Sequence, residues 1–490
     1  MSDLVIPVAL PLAAAAVSTM LGRFPAARRV IGVGTLLATT AAAVDLLLTV
    51  SDGSVVVGHI GGWPWPLGIT LVADPLAAIM VVVSSLMLLV VLVYAIGSPK
   101  TSDETGFFHP VYLILAAGVS LSFLTGDLFN LFVAFEVTLT ASYVLITFGG
   151  DRLQVRHGVT YIVISLVASA LFLTAIGLVY ASTGTVNMAD LSDKLGEVTP
   201  ALRSGLGLLF LVVFGIKAAI FPLFFWLPDS YPVAPSPVTA IFAGLLTKIG
   251  VYAIIRSHTL LFSHGQPSRL LLVVAALTML IGVLGAVAQD DVKRILSFHI
   301  VSQIGYMVFG LALFTLAGLA AAVFYIVHHI IVKTTLFLVA GLMEERAGTG
   351  ALRRLSGLMH TAPVLAVLFL LPALSLAGVP PFSGFVAKLA LIQAGFDAGA
   401  HVTVGVSLLV SLLTLFSMTK IWAGAFWGDP MESDTIEPRR LPPLMVGATA
   451  CLVVASLAFV VAAAPLYELG EVAARGLVDP SVYVTAVRGG

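Results

Sequence analysis

Fourteen apolar stretches, most of them about as long as a membrane span, follow one another along the chain. They run near 3–21, 30–50, 73–97, 107–124, 127–149, 157–182, 204–228, 236–256, 270–289, 295–315, 317–343, 361–395, 402–427 and 443–466. A helix needs ~20 apolar residues to cross the hydrocarbon layer. Within that layer each backbone polar group must be satisfied internally, which favours helices. Of the 490 residues, 59% are hydrophobic and 10% charged, whereas a soluble domain carries about 25% charged residues. The predicted fold class is all-α integral membrane, with about 14 transmembrane helices and the lipid bilayer as solvent. The opening MSDLVIPVALPL has Asp3 where a secretory signal has basic residues, so it reads as a retained first helix. A net charge of −1 argues against a nucleic-acid partner. The lone Cys451 excludes a disulfide framework, a cysteine-based zinc site and an iron–sulfur cluster. No cofactor and no metal are expected.

An even number of spans places both termini on one side. With that side outside, the inner loops hold thirteen of the 24 Lys and Arg, Arg152, Arg346, Arg439 and Arg440 among them. The outer loops hold six, including Arg256 and Arg488. The positive-inside rule therefore favours both termini on the outer face.

The five remaining basic residues are all lysines inside apolar stretches: Lys217, Lys248, Lys333, Lys388 and Lys420. Arginine, which stays charged, is expected to be absent from the span interiors. Glu136 is the acidic residue in mid-span, while Asp45, Asp74 and Asp127 lie near span ends. Each central charge costs roughly 2.5–3.5 kcal/mol to insert, so six cost on the order of 15–20 kcal/mol. An isolated lysine is often a structural partner of a carbonyl or carboxylate. Five lysines against one carboxylate cannot all be structural pairs, which points to a function that uses titratable ammonium groups. His328 and His329 lie mid-span, and His329 shares a helix face with Lys333 at the i, i+4 spacing. They fit a hydrogen-bonded polar stripe or a proton relay, since histidine titrates near neutral pH. Haem ligation is a third use, for which sequence alone places no ligands.

Two stretches carry proline inside. GLGLLFLVVFGIKAAIFPLFFWLPDSY has Pro222 five residues after Lys217, and LFLLPALSLAGVPPFSGFVAKLALIQAG has Pro380, Pro381 and Gly384 before Lys388. Proline removes a donor and breaks or kinks a helix. Exposed backbone at that depth is tolerated beside a cavity or inside protein. Lys217 and Lys248 are 31 residues apart, and Lys388 and Lys420 are 32 apart, in the similar strings GLLTKIGVY and LFSMTKIWAG. The expected organisation is helices 1–3 (1–106), a five-helix unit (107–256), a second, inverted unit (257–427), and a last helix with a tail (428–490). Paired broken helices in inverted repeats are a transporter pattern.

The strings LTGDLFNLFVAFEVTLTASYVLI, KAAIFPLFFWLPDSYPVAPSPVTAIFAGLLTKIGVYAI, HHIIVKTTLFLVAG and PPFSGFVAKL resemble helices five, seven to eight, eleven and twelve of the antiporter-like membrane subunits. That family comprises the large proton-pumping subunits of respiratory complex I and of Mrp-type multisubunit sodium/proton antiporters. The resemblance is greatest to the D-type Mrp subunits, which also match in length. It implies a proton-translocating subunit of a hetero-oligomeric complex that exchanges protons for Na+, a transporter part with no redox site of its own. It implies a Glu136–Lys217 pair, a central row continued by Lys248, His329 and Lys333, and Lys388 at its end. His328, Lys420 and Asp127 are further candidates. A redox-driven pump subunit and a structural scaffold are the competing readings.

Overall fold

The computed structural model describes residues 2–63, 65–101, 106–263, 265–429 and 440–489. Arg439, one of the inner-loop charges, lies outside them. The chain opens with α1 (Ser2–Met20) and α2 (Pro25–Val50), then a hairpin of β1 (Val56–His59) and β2 (Thr70–Ala73), paired antiparallel with Val56 opposite Ala73. There follow α3 (Pro75–Gly97), α4 (Phe108–Leu124), α5 (Leu128–Ile146), α6 (Arg152–Thr183), the short amphipathic α7 (Met188–Glu197) and α8 (Pro200–Ala218). After a break come α9 (Leu227–Ser230), α10 (Ser236–Ile241) and α11 (Thr247–Arg256). Two wider helical turns, at Phe242–Leu246 and Ser257–Leu261, join α10 and α11 into one span and extend it. The second half holds α12 (Ser268–Val287), α13 (Val292–Ala312), α14 (Leu316–Ala347), α15 (Leu358–Thr361), α16 (Pro363–Ala377), α17 (Ser383–Asp397), α18 (His401–Ala425) and α19 (Pro443–Val461). Two helices end the chain, α20 (Ala463–Val478) and α21 (Ser481–Gly489).

Eleven of these helical spans are long and apolar enough to cross a membrane, and three shorter apolar helices, Leu4–Met20, Phe108–Leu124 and Pro363–Ala377, complete the set among the described residues. Each of the fourteen apolar stretches overlaps one of them, and 361–395 takes in both α16 and α17. The protein is an integral, multi-pass membrane protein of the all-α class. Helix starts follow local chemistry. Proline occupies the first turn of α2, α3, α8, α16 and α19, where its missing N–H breaks no bond. Asp74 and Asp127 cap α3 and α5 by accepting from Ala77 N and Asn130 N, at 2.9 and 2.8 Å. These charges near span ends are thus capping groups.

Both termini lie on one face of the bundle. There α1 and α21 pack beside the hairpin, β2 bridges to Thr125, Asp127 bridges to Asn187, and α21 covers α7. The opposite face carries the Asp291–Ala351 bridge and the ion pairs of Lys100 and Lys293 with Glu344. The 236–261 span is wholly buried, as is α14 apart from its two end turns, and α13 is nearly so. At about 1.5 Å per residue, the 32-residue α14 is about 48 Å long. It packs against α3, α10, α13, α16, α17, α19 and α20, so the molecule is built around it.

Both broken helices are present. α8 ends at Ala218, and Ala219 turns the chain at φ 59 while its N–H bonds Gly215 O and Ile216 O. Pro222 lies in the irregular turn that follows. α16 ends at Ala377, and Gly378 turns at φ 85 onto Leu374 O and Ser375 O. Pro380 and Pro381 lie in the gap, and α17 resumes at Ser383. Lys217 precedes its break while Lys388 follows its own. The similar lysine spacings read from sequence, 31 and 32 residues, therefore do not superpose the two breaks.

Four details depart from the sequence reading. α7, α20 and α21 are amphipathic and so form no continuous apolar run. The stretch near 443–466 ends as a span at Val461, and α20 begins two residues later. Arg256 is not a loop residue: it is buried in the 236–261 span, gripping Asp74 through two contacts of 2.7 Å. Lys420 is not at the heart of the bundle but at the part-exposed end of α12.

Candidate functional site

Glu136 sits midway along α5, on a turn between Phe135 and Thr138, and accepts a hydrogen bond from Ser169 of α6. Lys217 lies in the last turn of α8, one residue before the helix ends. The two charges feel one another but form no ion pair, which departs from the expected Glu136–Lys217 contact. The Lys217 ammonium is buried with no acceptor among the described residues and lies 6.0 Å from the centre of the Phe135 ring. Beside it is a cavity of about 30 Å³ lined by Thr138, Tyr161, Ser165, Lys217, Trp226 and Tyr231, with Leu246, Ile249 and Gly250 on the far wall. A buried water requires about 10–15 Å³ and polar partners, and both are provided.

Gly250 brings the next span against this break. A Cβ there would lie 2.5 Å from Ala218 N and 2.9 Å from the Lys217 carbonyl carbon, so only glycine permits the approach. Two residues earlier in α11 is Lys248, fully buried, whose ammonium donates to Ala243 O and, at 3.2 Å, to Thr247 Oγ1. Ala243 belongs to the wide turn Phe242–Leu246, a geometry that loosens the regular ladder and recurs at functional sites. Lys248 is within electrostatic reach of His329 and Lys333 on α14. Both of these are fully buried. Neither ring nitrogen of His329, nor the Lys333 ammonium, has a partner among the described residues.

Across α13, His299 feels both Lys333 and Lys388, and its Nε2 lies 2.9 Å from Ser417 Oγ. Lys388 on α17 donates to Leu376 O and Ala377 O, each at 3.0 Å, and its ammonium rests 5.2 Å above the Tyr306 ring. Those carbonyls are the open C-terminal end of α16, which carries partial negative charge. Gly384 lets α17 press against that end. The structure thus places Glu136 and Lys217 at the first break, Lys248, His329 and Lys333 within electrostatic reach of one another, and Lys388 at the second break with His299 between it and Lys333, a row of charges along the chain of spans. His328 joins it at the α17 end.

Two candidates fall outside the row. Lys420 reaches the end of α12, donating to Val287 O at 3.1 Å and Gln289 O at 2.6 Å and pairing with Asp290 at 2.9 Å. It is part-exposed and ties α18 to the α12–α13 loop. The hydrogen bond and charge of Lys420, with the charge of Arg353, hold Asp290 below the usual carboxylate range. Asp127 is the cap of α5, nine residues from Glu136 and so about 13 Å along the helix. Sequence reasoning missed the hydroxyl partners Ser169, Thr247, Ser383 and Ser417. A serine in an apolar helix usually bonds its own preceding turn, so only packing identifies these four.

Known proteins resemble this chain in sequence and fold. The family described as NADH:quinone oxidoreductase/Mrp antiporter, TM, matches residues 125–414. The D-type chain of the Na(+)/H(+) antiporter of Alkalihalophilus pseudofirmus is 44% identical over 99% of each chain. A chain in the Mrp complex structure from Dietzia sp. aligns over the whole of both chains with a TM-score of 0.94 and 38% identity. A chain of the membrane-bound sulfane sulfur reductase, an archaeal respiratory membrane complex, aligns over 99% of both with a TM-score of 0.91 and 26% identity. A profile spanning more than half of the chain, a full-length relative and a matching fold over the whole length place it together: the chain belongs to the NADH:quinone oxidoreductase/Mrp antiporter transmembrane family.

Proposed function

We propose that this chain is the proton-translocating subunit of a multisubunit sodium/proton antiporter in a bacterial cell membrane, a transporter part rather than an enzyme. The observation that carries the reading is the row itself. Lys217 and Lys333 hold buried ammonium groups with no protein acceptor among the described residues, and a membrane protein keeps such groups where they move charge. Glu136, Lys217, Lys248, His329, Lys333 and Lys388 are its proton carriers. Glu136 and Lys217 act as a switch. When they approach, the carboxylate stabilises the ammonium. When they part, as here with Glu136 held by Ser169, an uncompensated buried ammonium favours passing its proton towards Lys248. Sodium crosses in company with the partner subunits, and the relatives' names are what support sodium as the exchanged cation. The two units, 107–256 and 257–427, would each supply one broken helix, with Pro222 in the first and Pro380, Pro381 and Gly384 in the second.

The test is Lys217→Ala in the assembled complex, read as sodium-driven proton movement in membrane vesicles. Exchange is expected to be lost while the subunits still co-purify. Undiminished exchange in correctly assembled complexes overturns the reading. The likeness to the sulfane sulfur reductase chain favours a second reading, a redox-driven pump. Flavin and iron in stoichiometric amounts in the complex purified from native membranes would select it.

A further inference from the structure

The row divides at α14. His328 and His329 are consecutive, so they project about 100° apart around the helix. His329 lies within electrostatic reach of Lys248 and Lys333. His328 turns to the second broken helix, where its Nδ1 lies 2.9 Å from Ser383 Oγ. Ser383 Oγ is in turn 3.2 Å from Ser375 Oγ. Ser375 is in the last turns of α16 and Ser383 is the first residue of α17, so the two hydroxyls bridge the gap between them. All three side chains are buried. Gly384 keeps them together, because a Cβ there would lie 1.7 Å from Ser375 O and 3.1 Å from His328 Cε1. The two carbonyls that follow Ser375 are those that hold Lys388. The Tyr325 ring stands edge-on to His328 at 5.6 Å and stacks on Tyr306, which lies under Lys388, so aromatic rings wall the passage.

We propose that Ser383 and Ser375 form a hydroxyl relay that joins His328 to Lys388, making the α16–α17 break a branch off the row. The proposal rests on the proton-carrier reading and deepens it. A hydroxyl has one proton and two lone pairs, so it accepts on one side while it donates on the other. A proton arriving from the row at Nε2 of His328 makes the ring an imidazolium, and its Nδ1–H bond then breaks as Ser383 Oγ takes that proton, leaving a neutral ring with its proton on Nε2. Ser383 gives its own proton to Ser375 Oγ, and the proton of Ser375 passes through one bridging water, which gives up a proton as it takes one, to the neutral amine of Lys388 held at the next two carbonyls. One proton enters and one leaves, and rotation of the two hydroxyls resets the relay. The charged and titratable groups around His328 are Lys388 from α17, His329 on its own helix and Tyr325, with His299 of α13 within reach of Lys388.

The experiment uses the whole complex in vesicles, with Ser383→Ala, Ser375→Ala and Lys217→Ala compared with wild type and assembly checked by co-purification. Each serine variant is expected to slow exchange roughly a hundredfold, the low end of what a positioned proton donor contributes. It is also expected to raise the solvent deuterium isotope effect and to move the pH profile. Wild-type rates in either serine variant overturn the branch. Slowed exchange with an unaltered isotope effect and pH profile also overturns it, because that is what altered packing alone would give. Lys217→Ala separates the two ideas. If it keeps full exchange, the proton-carrier reading fails whatever the serines do. If it abolishes exchange while the serine variants run normally, the branch alone fails.

Discussion

At the scale of single residues, the buried charges fall into two kinds. Arg256 and Asp74 meet through paired 2.7 Å contacts, with the Tyr252 and Tyr483 rings 5.4 and 5.2 Å from the guanidinium. Every charge there has an answer, so the pair holds α3, the 236–261 span and α21 together. Lys217 and Lys333 have no such answer among the described residues. Arg256→Ala is expected to destabilise by about 3–5 kcal/mol, because it leaves a carboxylate buried alone. A marked fall in the thermal midpoint of the purified complex checks this, and an unchanged midpoint would contradict it. Which lysines belong to which kind was not legible in sequence. Lys420 and Lys248 sit in similar strings, yet one secures a loop and the other lies at the centre. The difference is made by α12, whose end meets Lys420, and by α4, α8 and α13, which pack on α11 and leave Lys248 fully buried.

At the scale of elements, the two breaks were foreseeable from Pro222 and from Pro380 and Pro381. Their relation to the lysines was not. Proline states where a ladder must fail, but the end of the helix is set by where the chain can turn, at Ala219 in one case and Gly378 in the other. Gly250 shows how closely such an end is held. Gly250→Ala places a methyl 2.5 Å from Ala218 N, and overpacking of this kind costs about 1–3 kcal/mol. Exchange is expected to fall severalfold while Lys217 remains in place, since the break must move away from α11. Unaltered exchange and midpoint would show that the contact is slack. The amphipathic α7, α20 and α21 escaped the sequence reading for a related reason. Each is short and only one-sided in its apolar residues, and each is helical because a neighbour buries that side: α20 lies on α14, and α21 on α7.

For the whole molecule, the even number of spans places both termini on one face, and the excess of Lys and Arg in the opposite loops favours the outside for the termini. A cysteine introduced at Val484, with Cys451→Ser, is expected to react with a membrane-impermeant thiol reagent added to intact cells. Protection in intact cells with reaction in inverted vesicles would reverse the assignment. What the sequence by itself determined is the material of the protein: fourteen spans, their order, two breaks, and a set of charges too expensive to be incidental. These are local properties, since hydropathy and proline act within one segment. What only the tertiary structure decided is who meets whom. It placed His329 within electrostatic reach of Lys248 and His328 toward Ser383, gave Glu136 to Ser169 instead of Lys217, and turned Lys420 into a fastening. Those outcomes depend on which helix faces which, and that is set by close packing over distances in the chain that no local pattern encodes.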